Sequence, residues 1–279
     1  MPLQDIKMIK KIVLGVPIAD VAKQEALELV SSWIDAKETS CRVIATVGPE
    51  FVLTAQTDTQ FRSILGQTDL NLPDGIGLYL TGITQRITGL DFMLELCSKA
   101  SHQNWTIGLL GGQDGVGEKT RKVLLAQFPG LKFSFVQDGG EADETIRHVN
   151  SNKPLIVHGR NTKNENYKLR TMNAVPTCDL LFVALGHPKQ EKFLFAVKKK
   201  ILNSQFSILN FKVGMGVGGA FDEISGKIPR TPVWLSALGL KWLFRVIVEP
   251  RQTKIVRIKR MFNAVVVFPW MVVRERFGK

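Results

Sequence analysis

Asp74 stands between Pro73 and Gly75, directly after an apolar stretch that ends at Leu72. A single carboxylate on such a loop is placed to take a proton from an attacking hydroxyl, the work of a general base. The same side chain suits an N-cap for a helix starting at Gly75 or Ile76, and the residues alone favour that cap. Two glycine-rich stretches offer a different chemistry. Gly111-Gly112-Gln113-Asp114-Gly115 runs on to Gly117 and opens a helical pattern, a context in which backbone N–H groups can hold phosphate. It matches neither G-x-G-x-x-G nor the Walker pattern, so a plain tight turn fits it as well as a phosphate loop. Gly214 to Gly219 lets a backbone approach either a ligand or a neighbouring strand. His102, His148, His158 and His187 have no His or Cys at metal-ligand spacing, which speaks against a zinc site. No G-x-S-x-G is present, so serine hydrolase chemistry has no support.

These residues need elements to hold them. Apolar runs rich in β-branched residues predict strands at Arg42–Ala45, Thr106–Leu110, Phe133–Val136, Leu155–His158, Leu180–Leu185 and Leu209–Val213. Three- and four-residue apolar spacing predicts helices over Ala22–Ile34, Glu50–Leu65, Asp91–Ser101, Val116–Gln127 and Lys189–Lys200. The alternation gives an α/β fold with a mostly parallel sheet and helices on both faces. In such a sheet ligands bind beyond the carboxyl ends of the strands. The loops at Thr46–Pro49, Pro73–Gly77, Gly111–Gly115, Gly186–Glu191 and Gly214–Asp222 therefore form the candidate site, of a size for a nucleotide.

The chain has 279 residues, 44% hydrophobic and 22% charged, which excludes disordered, collagenous and disulfide-scaffold classes and is enough for a full core. Cys41, Cys97 and Cys178 are far apart beside apolar neighbours and are read as buried free thiols in a reducing compartment. Met1-Pro2-Leu3-Gln4-Asp5 does not resemble a signal peptide, and no apolar run reaches the ~20 residues of a membrane span. The net charge of +12 is uneven: Lys192 to Lys279 holds 17 Lys/Arg against 4 Asp/Glu, leaving 20 against 21 before it. That basicity implies an acidic partner. Arg230, Lys241, Arg245, Arg251, Lys254, Arg257, Lys259 and Arg260 alternate with Trp234, Trp242 and Phe244, and an apolar run from Phe262 to Val273 follows. Such a tail suits an anionic membrane interface, ahead of a final helix docked on the core, and ahead of nucleic acid, which calls for a polar stacking platform. Deletion from about Met261 would then lower vesicle binding and raise solubility.

Taken together, the loops resemble the WecG/TagA/CpsF glycosyltransferases, glycosyltransferase family 26. The matching stretches are Thr46-Val47-Gly48-Pro49-Glu50-Phe51, Leu72 to Gly77, Arg86 to Asp91, Gly111-Gly112 with Phe128-Pro129, Leu185 to Glu191, and Val217 to Asp222 running on through Arg230-Thr231-Pro232, Trp242, Arg245 and Glu249-Pro250-Arg251. The resemblance implies a Rossmann-like core over residues 1–228 and a basic appendage over 229–279, acting as lid and membrane-contacting tail. It implies inverting, metal-independent and cofactor-free transfer of N-acetylmannosamine, or its uronic acid, from a UDP donor to polyprenyl-diphosphate-linked N-acetylglucosamine. The enzyme would sit peripherally on the cytoplasmic face of the membrane, with a homo-oligomer left open. Asp74 becomes the general base. Thr46, Gly48, Arg86, Gly111, Gly112, Gln190, Asp222 and Arg230 become substrate-binding residues, and Arg245 and Arg251 neutralise the diphosphate. Gly48 departs from the family pattern, which has Asn there, as does His187, where a small residue is usual. The segment Asp138–Thr177 is longer than the pattern. Two other readings stay open: a dinucleotide-dependent oxidoreductase using the Gly111 loop, with Asp138 its nearest ribose-binding acid, and a non-enzymatic basic adaptor for membrane or nucleic acid.

Overall fold

Short aliphatic runs and amphipathic stretches alternate along the chain, and the computed structural model shows what they build; it describes residues 9–36, 41–138, 157–159, 168–170, 176–203, 209–237, 240–248, 258 and 262–277. A hairpin of β1 (Lys10–Val13) and β2 (Val16–Ala19) leads into α1 (Lys23–Asp35) and β3 (Arg42–Val47). Helices α2 (Pro49–Thr57) and α3 (Thr59–Gln67) then lead to β4 (Leu70–Pro73) and a 3₁₀ helix at Ile76–Thr81. Next come α4 (Gly89–Gln103), β5 (Thr106–Gly111), α5 (Val116–Gln127) and β6 (Lys132–Gln137). Beyond β7 (Val157–Gly159) and β8 (Lys168–Arg170) lie β9 (Thr177–Ala184), α6 (Lys189–Leu202), β10 (Asn210–Gly216) and α7 (Ala220–Ile224). The C-terminal region holds α8 (Val233–Ala237), α9 (Lys241–Val248), a π-helical turn at Asn263–Val267 and α10 (Phe268–Phe277).

The main sheet has six strands in the order β4-β3-β10-β9-β5-β6, all paired in parallel. Side chains alternate between its faces, which is why these strands read as continuous apolar runs with both faces covered. Ile44, Leu180 and Phe182 pack under α1, α4 and α5, while Val43, Leu181 and Val183 pack against Phe193, Leu194 and Val197 of α6. The α/β class and the helices on both faces are as the sequence implies. Cys41, Cys97 and Cys178 are buried and free; burial pushes the Cys41 thiol up to about 12 and raises the other two as well.

Three expectations change, and one element is added. The single helix over Glu50–Leu65 is two, because Asp58 caps a new start: its carboxylate accepts from Phe61 N at 2.9 Å, and the axis breaks there. Of the strand placed at Leu155–His158, Val157 and His158 are described: they belong to Val157–Gly159, which pairs antiparallel with Lys168–Arg170 in a separate sheet instead of joining the main one; Leu155 lies outside the described residues, as does most of Asp138–Thr177. The hairpin β1–β2 was not foreseen, since four-residue strands give too short an alternation. The tail segment is docked as well as apolar. Phe268 is completely buried and Val272 nearly so, in a cluster with Val47, Val52 and Leu78, while Val266, Trp270, Val273 and Phe277 stay exposed. Truncation at Met261 would therefore uncover a core instead of raising solubility.

Candidate active site

The strand order decides which exit loops meet. β3 and β4 end beside β10 and β9, and a cleft of about 840 Å³ opens at their carboxyl ends. Thr46, Gly48, Asp74, Arg86, Gln190, Asp222 and Arg245 all line it, together with Gly218 and Gly219 of the β10 exit and Ala264, Val265 and Pro269 of the tail. Gly111 and Gly112 are not among its lining residues, because β5 lies on the far side of β9. Both have positive φ; a Cβ on Gly111 would lie 2.5 Å from Ala184 O of the paired strand β9, and one on Gly112 would lie 3.0 Å from Val116 of α5, so both allow a close approach at the end of β5. Asp138 accepts from Gly115 N at 3.3 Å, which places a carboxylate beside the start of α5. Arg230 lines a neighbouring groove of about 760 Å³ and sits 3.8 Å from Asp91, an exposed pair of little energetic weight. Arg251 lies outside the described residues.

Asp74 follows the last residue of β4, and its backbone N donates to Val47 O at 2.8 Å, which ties the loop to the end of β3. It does not cap the 3₁₀ helix that follows; the N-cap there is Gly75, at φ +121°, with no side-chain bond. Instead Asp74 Oδ2 accepts from the N–H of Gly89, the first residue of α4, at 3.1 Å. The half-buried carboxylate thus faces the positive end of a fifteen-residue helix, a favourable place for a negative group. Thr46 is buried behind it, with Oγ1 donating to Gly216 O at 3.4 Å, and Gly89 packs on its side chain. Gly48 is a point of backbone contact: a Cβ there would lie 2.5 Å from Asp74 O. An amide side chain at this position has no room unless the Asp74 loop moves.

The opposite wall is held by polar contacts that are themselves buried. Gln190 Nε2 donates to Glu191 Oε1 at 2.7 Å, and Gln190 Oε1 accepts from Gly218 N at 3.0 Å. Glu191 is fully buried, and desolvation raises its carboxyl to about 7. His187 stacks on Phe51 with ring centroids 4.7 Å apart, and both rings line the cleft. Arg86 Nη2 donates to Ser236 O of α8 at 2.9 Å, and buried Arg245 of α9 pairs with Glu223 of α7 at 3.6 Å. These contacts fasten the C-terminal helices over the cleft. Asp222 pairs with Lys227 at 3.8 Å. Glu223 and the Phe51 ring escaped the sequence reading: one sits in a generic helical pattern, the other in an apolar one. Among the described residues no group of three or more His, Cys, Asp or Glu is placed to hold a metal ion.

The family model described as "Glycosyl transferase WecG/TagA/CpsF family" matches residues 11–279. The chain is similar to proteins named N-acetylglucosaminyldiphosphoundecaprenol N-acetyl-beta-D-mannosaminyltransferase. The one from Bacillus subtilis strain 168 is 28% identical over 218 residues, 76% of this chain and 73% of the relative. That from Bacillus spizizenii strain W23 is 26% identical over 80% of this chain and 77% of the relative. For Staphylococcus aureus strain MRSA252 the figures are 25%, 85% and 84%.

Proposed function

This chain belongs to the WecG/TagA/CpsF family of glycosyl transferases, and we propose that it moves an N-acetylmannosamine-type sugar from a UDP donor to a polyprenyl-diphosphate-linked N-acetylglucosamine, with inversion. The observation that carries the reading is the Asp74 carboxylate, which accepts from the first N–H of α4 and lines one cleft with Gln190, Gly218 and Arg245. In the reaction the acceptor hydroxyl gives its proton to Asp74 as its oxygen bonds the anomeric carbon. The bond from that carbon to the UDP oxygen breaks on the opposite face, and UDP leaves with the electron pair. A single displacement of this kind inverts the anomeric centre. Thr46 and Gly48 shape the sugar pocket, while Gln190 and Arg86 set the donor wall. Arg245 stabilises the diphosphate charge by guanidinium hydrogen bonds in a largely desolvated cleft, and Arg251 joins it. Charge neutralisation by arginine is the basis for metal-independent transfer.

Residues 229–279 act as a basic appendage on the core of 1–228, and they hold the protein peripherally on the cytoplasmic face of the membrane. Among the described residues no helix is long and apolar enough to cross a bilayer. Exposed Trp270, Val266 and Phe277, with Arg274 over the Trp270 ring at 5.4 Å, supply an interfacial contact instead. The test is Asp74→Asn: transfer to a water-soluble lipid-diphosphate analogue should fall about 10²- to 10⁴-fold, while UDP binding by calorimetry persists. Near-normal turnover in that variant would remove Asp74 from the chemistry.

A further inference from the structure

Glu191 takes no part in the proton transfer assigned to Asp74, yet it is fully buried in the first turn of α6. Its Oε1 accepts from Gln190 Nε2 at 2.7 Å, and its Oε2 has no hydrogen-bond partner. A buried carboxyl with one oxygen unmatched costs stability, so an apolar residue of the same size would serve the fold better. The Gln190 amide shows what the carboxyl does. A side-chain amide is nearly symmetric in shape but opposite in polarity at its two ends. Here one end meets the Glu191 carboxyl and the other meets Gly218 N–H at 3.0 Å. Flipping the amide would set NH₂ against N–H and carbonyl against carboxyl. Gly216 leaves the room this pairing needs: a Cβ there would lie 2.5 Å from Gln190 Nε2 and 2.7 Å from Glu191 Oε1.

We infer that Glu191 is a positioning residue whose carboxyl locks the Gln190 amide and, through it, the Gly218 turn, so that both present one fixed donor–acceptor pattern to the nucleotide. The inference rests on the cleft being the donor site. Charged groups on the elements around α6 are engaged elsewhere: Lys192 with Asp58 at 2.6 Å, Lys198 with Asp69 at 2.5 Å, Arg42 with Asp69 at 2.9 Å and Lys212 with Asp179 at 3.0 Å. Left without a charged partner, the carboxyl is pushed up to about 7 by burial, and Oε1 can accept from Gln190 in either protonation state.

Glu191→Met keeps the volume and removes the acceptor. Its Gly218 amide should exchange with solvent faster than in the wild type, and UDP binding by calorimetry should weaken roughly tenfold, the size of one hydrogen bond to an ionisable group. The melting temperature should not fall. Glu191→Gln, whose carbonyl can still accept from Nε2, should recover most of the loss. Combined with Gln190→Ala, Glu191→Met should add nothing further, because both break one lock. Wild-type exchange at Gly218 in Glu191→Met, or losses that add in full, would overturn the inference. Should Glu191→Met not fold, the wild type decides: the ¹⁵N signals of the Gln190 side-chain amide and of Gly218 must shift together in one titration, and independent behaviour overturns the lock. Faster Gly218 exchange in Glu191→Met, from a wild type that binds no UDP, would instead overturn the donor-site reading and leave the lock standing.

Discussion

At the residue scale, two side-chain identities in the cleft make opposite demands on the backbone. Asp74 needs a place beside the Gly89 N–H, and Gly48 must lack a Cβ so that the Asp74 carbonyl can close on it. Gly48 has φ −111° and ψ −179°, a conformation open to any residue, so the constraint is purely steric. Gly48→Ala should therefore displace the Asp74 loop. Because a misplacement near 1 Å can cost about 10²-fold in rate, kcat should drop by one to two decades, read in the same transfer assay, and the melting temperature should drop only modestly. Glu191 gives a second signature, in stability. Its carboxyl lies at about 7 against an ordinary 4.5, so the native state holds this proton more tightly than the unfolded chain does. Its contribution is full below about pH 4.5 and is lost as pH rises through about 7. That corresponds to about 3 kcal/mol for this group acting alone. Urea unfolding across that window should show stability falling with pH in the wild type and a flatter profile in Glu191→Gln; equal slopes would mean that Glu191 is not the group titrating.

At the element scale, the last helix separates two roles that a sequence cannot. α10 buries Phe268 under the 3₁₀ helix and α2 and turns Trp270 outward. Phe268→Ala should cost about 3–5 kcal/mol by opening a cavity in that cluster, seen as a large fall in the urea midpoint. Trp270→Ser should leave the midpoint nearly unchanged and reduce binding to anionic vesicles. Equal stability losses in the two variants would mean that Trp270 is also structural. The parallel sheet and its crossover helices were legible because long apolar runs and three- and four-residue spacing carry strong signals: Leu180 to Val183 and Phe193 with Val197 are examples. The break at Asp58 was not, since a cap inside a continuous apolar pattern leaves the periodicity intact. In the site, Asp74, Thr46 and Gln190 were legible as strand-exit residues. The partner of Asp74 was not, because Gly89 lies fifteen positions on and reaches it only through the β4 to α4 turn. The place of the Gly111 loop was hidden for a related reason: glycine runs look alike in sequence wherever they lie, and only the strand order sets this one beyond β9, outside the lining of the cleft.

At the scale of the whole molecule, exposed apolar side chains from two elements, Ile76 and Leu80 of the 3₁₀ helix and Val265 of the tail, meet at the cleft. Lys192 to Lys279 carries 17 basic against 4 acidic residues, while the remainder is balanced at 20 against 21. The 3₁₀ helix that follows Asp74 packs against α10 and exposes Ile76, Tyr79 and Leu80, continuing the outward face of Val266, Trp270 and Phe277. A bilayer touching that face would bring an acceptor held in the lipid within reach of the carboxylate behind it, with cations meeting anionic head groups around the contact. Two forces then hold the protein, and salt separates them. Each Lys or Arg near the surface adds about 1 kcal/mol and is screened beyond ~8 Å at physiological ionic strength, whereas apolar insertion is not weakened by salt. Sedimentation with anionic vesicles should therefore weaken as salt rises but level off above zero in the wild type. With Trp270→Ser combined with Leu80→Ser the level reached at high salt should fall close to zero, while binding at low salt survives. A double variant that kept the wild-type plateau would place the insertion elsewhere, and a wild type indifferent to salt would mean that the basic C-terminal region faces something other than an anionic membrane.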